Sequence, residues 1–178
     1  MTKIPQIPAS KGSNIGDFDL ADCFFQSGEL LYAAAYDGIT KNAMGRIGFP
    51  ADEFFHGHFI VAFYNFRHAI ELKMKQVALL LEITKWHGHK LSDLWDEILK
   101  HPQIKSNETI VTEALLVLAD YDVLQDEELF RYSQRNKFPN QLLQDYPAIQ
   151  TESFHLLGKA YHSLSEAILL LTHESTCR

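Results

Sequence analysis

The stretch Phe63-Tyr64-Asn65-Phe66-Arg67-His68-Ala69-Ile70-Glu71 decides how this chain is read, together with Gly88-His89-Lys90-Leu91 further on. Its apolar residues recur at helical rather than alternating spacing. The same pattern continues on both sides. Phe55, Phe59, Ala62, Phe66, Ala69 and Leu80 form one broad face, and Phe63, Ile70, Met74, Val77 and Leu81 widen it. The spacing predicts a helix from Asp52 to about Lys85, stopped by Gly88. Apolar residues on more than one side mark it as a central helix covered by several neighbours.

On this apolar helix sits a polar stripe. Arg67 and Glu71 are four residues apart, as are Tyr64 and His68, and Lys75 extends the line. Residues at this spacing are neighbours on one face. Burying such groups costs several kcal/mol unless each finds a partner. Three readings follow: an Arg67–Glu71 pair facing water, a structural network that fixes packing, or a functional pocket. Arg67, His68 and Glu71 are the candidate catalytic residues, since arginine binds anions and histidine and glutamate move protons. Tyr64, Lys75, His89, Arg131 and Tyr132 are the candidate binding residues around them.

Outward from the central helix, every other segment is helical or irregular. Residues 1–16 hold two prolines and two glycines and read as an extended tail. Asp17 is placed to cap a first helix running to about Asp37, with Phe24, Ser27, Leu31 and Ala34 on one face and Gly38 as its stop. Residues 38–52 read as a loop. A short helix is expected from Leu91 to about Lys100, with Leu91, Leu94, Trp95 and Ile98 inward and Pro102 after it. Another runs from a cap at Ser106 or Asn107 to about Val123, with Ile110, Val111, Ala114, Leu115, Leu118 and Tyr121 on one face.

Residues 124–149 lack periodicity and read as a long irregular loop of the kind that often carries function. The last helix is expected from Thr151 to about Thr172. Its seam of Phe154, Leu157, Tyr161, Leu164, Ile168 and Leu171 suits a neighbouring helix in this chain or in a second copy. No strand pattern competes. The expected architecture is an all-α bundle of two long helices, shorter helices and one long loop. A single domain spans 17–173, and 174–178 form a C-terminal tail.

Composition narrows the function classes. The chain has 178 residues, 46% hydrophobic, with a formal net charge of -7. That is a globular composition, and its acidity disfavours wholesale binding of phosphate backbones, leaving a local basic site as the route to nucleic acid. Cys23 and Cys177 are the only cysteines, too few for a secreted disulfide scaffold. The start has no signal-peptide pattern and no apolar run is long enough to span a membrane, so the cytoplasm is the expected compartment. The glycines of 38–48 match no phosphate-binding loop.

His56-Gly57-His58 and His87-Gly88-His89 are the only hint of a metal site, and no carboxylate or cysteine stands at a familiar ligand spacing from them. No metal or other cofactor is expected. Neither cysteine looks nucleophilic.

The run Phe66-Arg67-His68-Ala69-Ile70-Glu71-Leu72-Lys73-Met74-Lys75, followed by Gly88-His89-Lys90-Leu91-Ser92-Asp93-Leu94-Trp95, resembles uncharacterised bacterial proteins of the HEPN superfamily. Phe130-Arg131-Tyr132-Ser133 is similar to a third element of those proteins, with Ser133 in place of a proline. The resemblance covers the middle of the chain. It implies a HEPN-like helical bundle, generally dimeric, in bacterial defence or toxin–antitoxin systems. Such a domain binds RNA, a nucleotide or a partner protein, and in many members cleaves RNA without a metal.

The nuclease members carry an arginine and, a few residues later, a histidine. Here Arg67 is followed at once by His68 and then by no histidine until His87, and Arg131 and Arg135 have none before His155. The usual motif spacing is absent. Adjacent residues on a helix also point about 100° apart. The resemblance therefore implies fold and binding more than ribonuclease chemistry. The alternative is a non-catalytic helical module for dimerisation or protein interaction, and behind it a small metalloprotein in which the two His-Gly-His pairs supply imidazoles to zinc or nickel.

Overall fold

A computed structural model describes residues 20–43, 51–83, 91–102, 104, 108–120 and 151–176. Among them the protein is all-α, with five helices and no strand: α1 (Leu20–Ala43), α2 (Ala51–Leu80), α3 (Leu91–Ile98), α4 (Glu108–Asp120) and α5 (Thr151–Thr176). The helix α2 is central, packed by α1, α3 and α5, while α4 lies against α3 and α5. Its buried residues, among them Ile60, Phe63, Phe66, Ile70, Met74 and Val77, cover most of its circumference, while a strip through Val61, Tyr64, His68, Leu72, Lys75 and Leu79 is exposed or half-buried. A helix with so broad a buried face needs more than one neighbour to cover it.

The close pairing of α1 with α2 comes from small residues. The buried face of α1 is Ala21, Phe25, Gly28, Ala35 and Gly38, at spacings of four, three, seven and three. The face predicted from Phe24, Ser27, Leu31 and Ala34 is displaced by one position: Ser27 and Ala34 are exposed, and Phe24 and Leu31 are half-buried. Counting bulky side chains misplaces a seam built on alanine and glycine. Gly28 shows why the seam is small. A Cβ there would lie 3.0 Å from a Phe66 ring carbon and 3.3 Å from the Ala62 carbonyl oxygen.

Gly38 does not end α1, which continues to Ala43. A glycine inside a helix costs about 1 kcal/mol relative to alanine. Local bonds span that position: the Thr40 hydroxyl donates to the Tyr36 carbonyl at 2.8 Å, and Lys41 pairs with Asp37. Gly38 is also buried, so its lack of a side chain serves packing. The predicted loop over 38–52 is correspondingly shorter, because 38–43 belong to α1 and α2 begins at Ala51.

The predicted stop of α2 is corrected as well. The helix ends at Leu80, ahead of Gly88. Glu82 takes a left-handed conformation, φ 57°. Its N–H donates to the Leu79 carbonyl at 3.1 Å, and the Ile83 N–H donates to the Ala78 carbonyl at 2.9 Å. These two bonds make the C-terminal motif that usually has glycine at the left-handed position. Ile83 packs back on the core, which supplies the hydrophobic contact of that motif. Leu80, placed on the apolar face by its spacing, is 37% exposed because the helix terminates there.

The remaining helices lie close to their predicted spans. The buried residues of α3 are Leu91, Leu94, Trp95 and Ile98, and the Trp95 indole donates to the Thr112 hydroxyl at 3.0 Å, tying α3 to α4. On α4, Val111, Ala114 and Leu118 are buried, whereas Ile110 faces outward. The seam of α5 is buried at Phe154, Leu157, Tyr161, Leu164 and Leu171, and it packs on α2 and α4 of the same chain. The helix continues to Thr176, through the first part of the predicted C-terminal tail. Its first turn carries Glu152, whose carboxyl is held below the usual range by its own backbone N–H and by the Thr151 hydroxyl.

An aromatic group joins the three long helices. Tyr32 of α1 meets Phe59 of α2 and Phe154 of α5, with ring centroids 5.7 and 4.6 Å away. Burial, and then the neighbouring Tyr36 and Glu152, push the Tyr32 phenol pKa up. The predicted tail 1–16, the long loop 124–149, the helix caps at Asp17, Ser106 and Asn107, and Tyr121 all lie outside the described residues.

Candidate functional site

The polar stripe on α2 is not a solvated face. Arg67 is 3% exposed and Glu71 1%. The Arg67 Nη1 donates to Glu71 Oε2 at 3.3 Å, and the Lys75 Nζ donates to Glu71 Oε1 at 2.6 Å. The His68 Nδ1 lies 3.9 Å from Glu71 Oε2, close enough for attraction but too long for a hydrogen bond. The helix itself produces this arrangement. Residues three and four before Glu71, and four after it, all lie beside it on one face. Two permanent cations thus share one buried carboxylate. Each charge would be costly to bury alone, and the charge-assisted bonds offset that cost.

The surroundings of the stripe differ on its two sides. Arg67 faces a cleft between the start of α3 and the second half of α4, lined also by Leu91, Ser92, Leu115, Leu118 and Ala119, with a volume of about 40 Å³. A cleft of that size admits a water or the edge of a small polar group. Pockets that enclose a whole small molecule run to ~300–1,000 Å³. His68 faces the other way, toward α1. Its ring makes a T-shaped contact with Phe24, centroids 4.4 Å apart at 83°, and lies parallel to Tyr64 at 5.9 Å and 5°. The separation of Arg67 and His68 around the helix is therefore real: they reach Glu71 from different sides.

Five of the candidate residues, Tyr64, Arg67, His68, Glu71 and Lys75, come together on α2 in this way. His89, Arg131 and Tyr132 lie outside the described residues. The chemistry open to the group follows from its bonds. Arg67 and Lys75 are anion-binding groups, and the buried Glu71 acts as their anchor. Both Glu71 oxygens are engaged by cations, which suits positioning better than proton transfer.

A second polar group was not anticipated from sequence. Lys73, on another side of α2, is 6% exposed. Its Nζ lies 3.1 Å from Asp22 Oδ1 of α1 and 5.3 Å from the centre of the Tyr161 ring of α5. The Tyr161 hydroxyl donates to the same Asp22 oxygen. Phe25 stacks on Tyr161 at 4.0 Å and 6°. The one sequence signal available was a lysine away from the polar stripe on an otherwise apolar helix. Phe24, which touches His68, was also missed, because its helix face was assigned without knowledge of its partner.

The first of the paired histidine motifs falls inside α2, with Gly57 and His58 in its second turn; His87 and His89 lie outside the described residues. Among the described residues, no group of three or more His, Cys, Asp or Glu side chains is arranged to hold a metal ion. Cys23 is a half-buried free thiol. Among the described residues, no helix is long and apolar enough to cross a membrane. No protein-family model, curated protein or solved structure matches the chain.

Proposed function

We propose that this chain is a HEPN-like helical domain of a bacterial defence or toxin–antitoxin system that binds the phosphate of RNA or a nucleotide. The single observation that carries this reading is the buried Arg67, held by Glu71 at 3.3 Å on the central helix and lining the cleft between α3 and α4. A fixed guanidinium recognises phosphate oxygens well, because its planar donors are already oriented. The small volume of the cleft favours a grip on a phosphate edge, as along an RNA backbone, over enclosure of a whole nucleotide. Binding is favoured over cleavage: Arg67 and His68 project to different sides of α2, which is a poor geometry for acting together on one phosphate.

The test is titration of single-stranded RNA and of adenine and guanine nucleotides into wild type, Arg67→Met and His68→Ala at several salt concentrations. The Arg67 variant should weaken RNA binding and lower the slope of log affinity against log salt by about one. Equal behaviour of wild type and both variants across these probes, or an inert wild type, sinks the reading. An RNA degradation assay on the same samples separates binding from cleavage.

A second reading is a non-catalytic dimerisation or protein-interaction module. It is favoured by leucines held out to solvent on several helices, among them Leu30 at 73%, Leu79 at 66%, Leu116 at 63% and Leu169 at 61% exposed. Single exposed leucines are ordinary, but this many on one small domain suit a partner surface. Light scattering across a concentration series decides it, and a strict monomer that captures no partner counts against it.

A further inference from the structure

We infer that Lys75 is a positioning residue of the site: it holds the Glu71 carboxylate back from Arg67 and so keeps the guanidinium available to an anion in the cleft. The inference rests on the binding reading above and adds a residue that acts through another. It starts from an inequality inside the Glu71 cluster. The Lys75 Nζ donates to Glu71 Oε1 at 2.6 Å, whereas the Arg67 Nη1 reaches Oε2 at 3.3 Å. Charge-assisted bonds of this kind are ordinarily about 2.7–2.9 Å long. The strong bond of the carboxylate is therefore to the lysine, and its hold on the arginine is loose.

The inequality matters because Arg67 is the member of the cluster that lines the cleft between α3 and α4. Arg67 stands one turn before Glu71 and Lys75 one turn after it, so the two cations draw the carboxylate in opposite directions along the helix. Glu71 is 1% exposed. Without the lysine, Oε1 loses a short bond inside the protein, and leaving a buried acceptor unmade is costly. The guanidinium is placed to supply the replacement. Arginine and carboxylate pair readily through two parallel bonds, and the donors engaged in that way are lost to a phosphate. Lys75 thus keeps Arg67 open to the cleft without touching the ligand itself.

The test is a double-mutant cycle. Lys75→Met keeps the length of the side chain without its charge, and Glu71→Gln removes the charge that Lys75 restrains. Lys75→Arg is the conservative control. Two readouts are taken. The first is the NMR signals of the Arg67 guanidinium without any ligand, with the other arginines of the chain as internal references. The second is affinity for a single-stranded RNA oligonucleotide and for AMP. Lys75→Met should move the Arg67 signals, leave the references in place, and weaken whichever probe wild type binds about three- to tenfold. Lys75→Arg should restore both. In the Glu71→Gln background, Lys75→Met should change neither.

A loss of the same size in both backgrounds overturns the inference, because Lys75 would then be attracting the phosphate directly. A loss that arginine fails to rescue overturns it as well. So do unmoved Arg67 signals in Lys75→Met, and these decide by themselves if Glu71→Gln does not fold. If wild type binds neither probe, the binding reading falls by itself, and the guanidinium signals alone show whether Lys75 restrains Glu71.

Discussion

Among the described residues, two clusters of charged side chains lie on the same helix and are built in opposite ways. The Glu71 group takes Arg67, His68 and Lys75 from within one turn on either side. The Lys73 group takes Asp22 from α1 and Tyr161 from α5, the latter two bonded across 139 residues of sequence. The ion pairs of the first lie within α2 alone. The second exists only when three helices are docked. The difference teaches that α2 carries a cluster paired along the helix on one side and a tertiary fastener on another.

The largest expected effect comes from breaking the local group at its centre. Glu71→Ala strands the buried Arg67 charge and should destabilise the protein by about 3–5 kcal/mol. That corresponds to a fall in Tm of roughly 10 °C for a chain of this size. The double variant Arg67→Met with Glu71→Met should regain most of the loss in urea melts, since an apolar pair of similar volume often replaces a buried ion pair without penalty. Failure to recover would mean that the group does more for the fold than pair charges.

Next is a variant that should damage one group and spare the other. Gly28→Val places carbon where Phe66 and the Ala62 carbonyl already sit, within 3.0–3.3 Å. Pushing α1 from α2 should cost about 2 kcal/mol. It should loosen Asp22 from Lys73 but leave the Arg67–Glu71 pair intact. Exchange of the α2 amides, compared with those of α1 and α5, reads the distinction.

A smaller effect is expected at the fastener itself. Tyr161→Phe keeps the ring over Lys73 and the stack on Phe25 but removes the hydrogen bond to Asp22. The loss should be about 1 kcal/mol in chemical denaturation, because the half-exposed Asp22 regains water. A loss several-fold larger would show the fastener to be as consequential as the Glu71 group.

The smallest effect touches neither group and has the opposite sign. Glu82→Gly relieves a left-handed glutamate at the end of α2, worth about 1–2 kcal/mol, against the ordering cost of glycine. A net gain of about 0.5–1 kcal/mol should appear in thermal melts. A loss there would mean that the Glu82 side chain contributes more than its backbone strain costs.

Legibility follows the same division as the two groups. The inward residues of α3, the seam of α5 and the stripe from Tyr64 to Lys75 could all be read from spacing, because the α-helix fixes which residues share a face. The stop of α2 at Leu80 could not. It depends on a glutamate adopting a conformation that glycine usually supplies, and on Ile83 finding the core. The face of α1 was misplaced by one residue, since its seam is made of alanine and glycine, which carry little hydrophobic signal.

The sequence by itself determined an all-α chain and a polar cluster on its most apolar helix, because both are consequences of a periodicity of 3.6 residues. The tertiary structure decided which faces are sealed. It buried Arg67 and Glu71 where a solvated pair was equally consistent with spacing. It brought Phe24 to His68, and Asp22 and Tyr161 to Lys73. Such contacts depend on how far apart the helix axes lie and on how the helices are rotated against one another. Those quantities are set by packing among all the helices at once, and no local stretch of the chain encodes them.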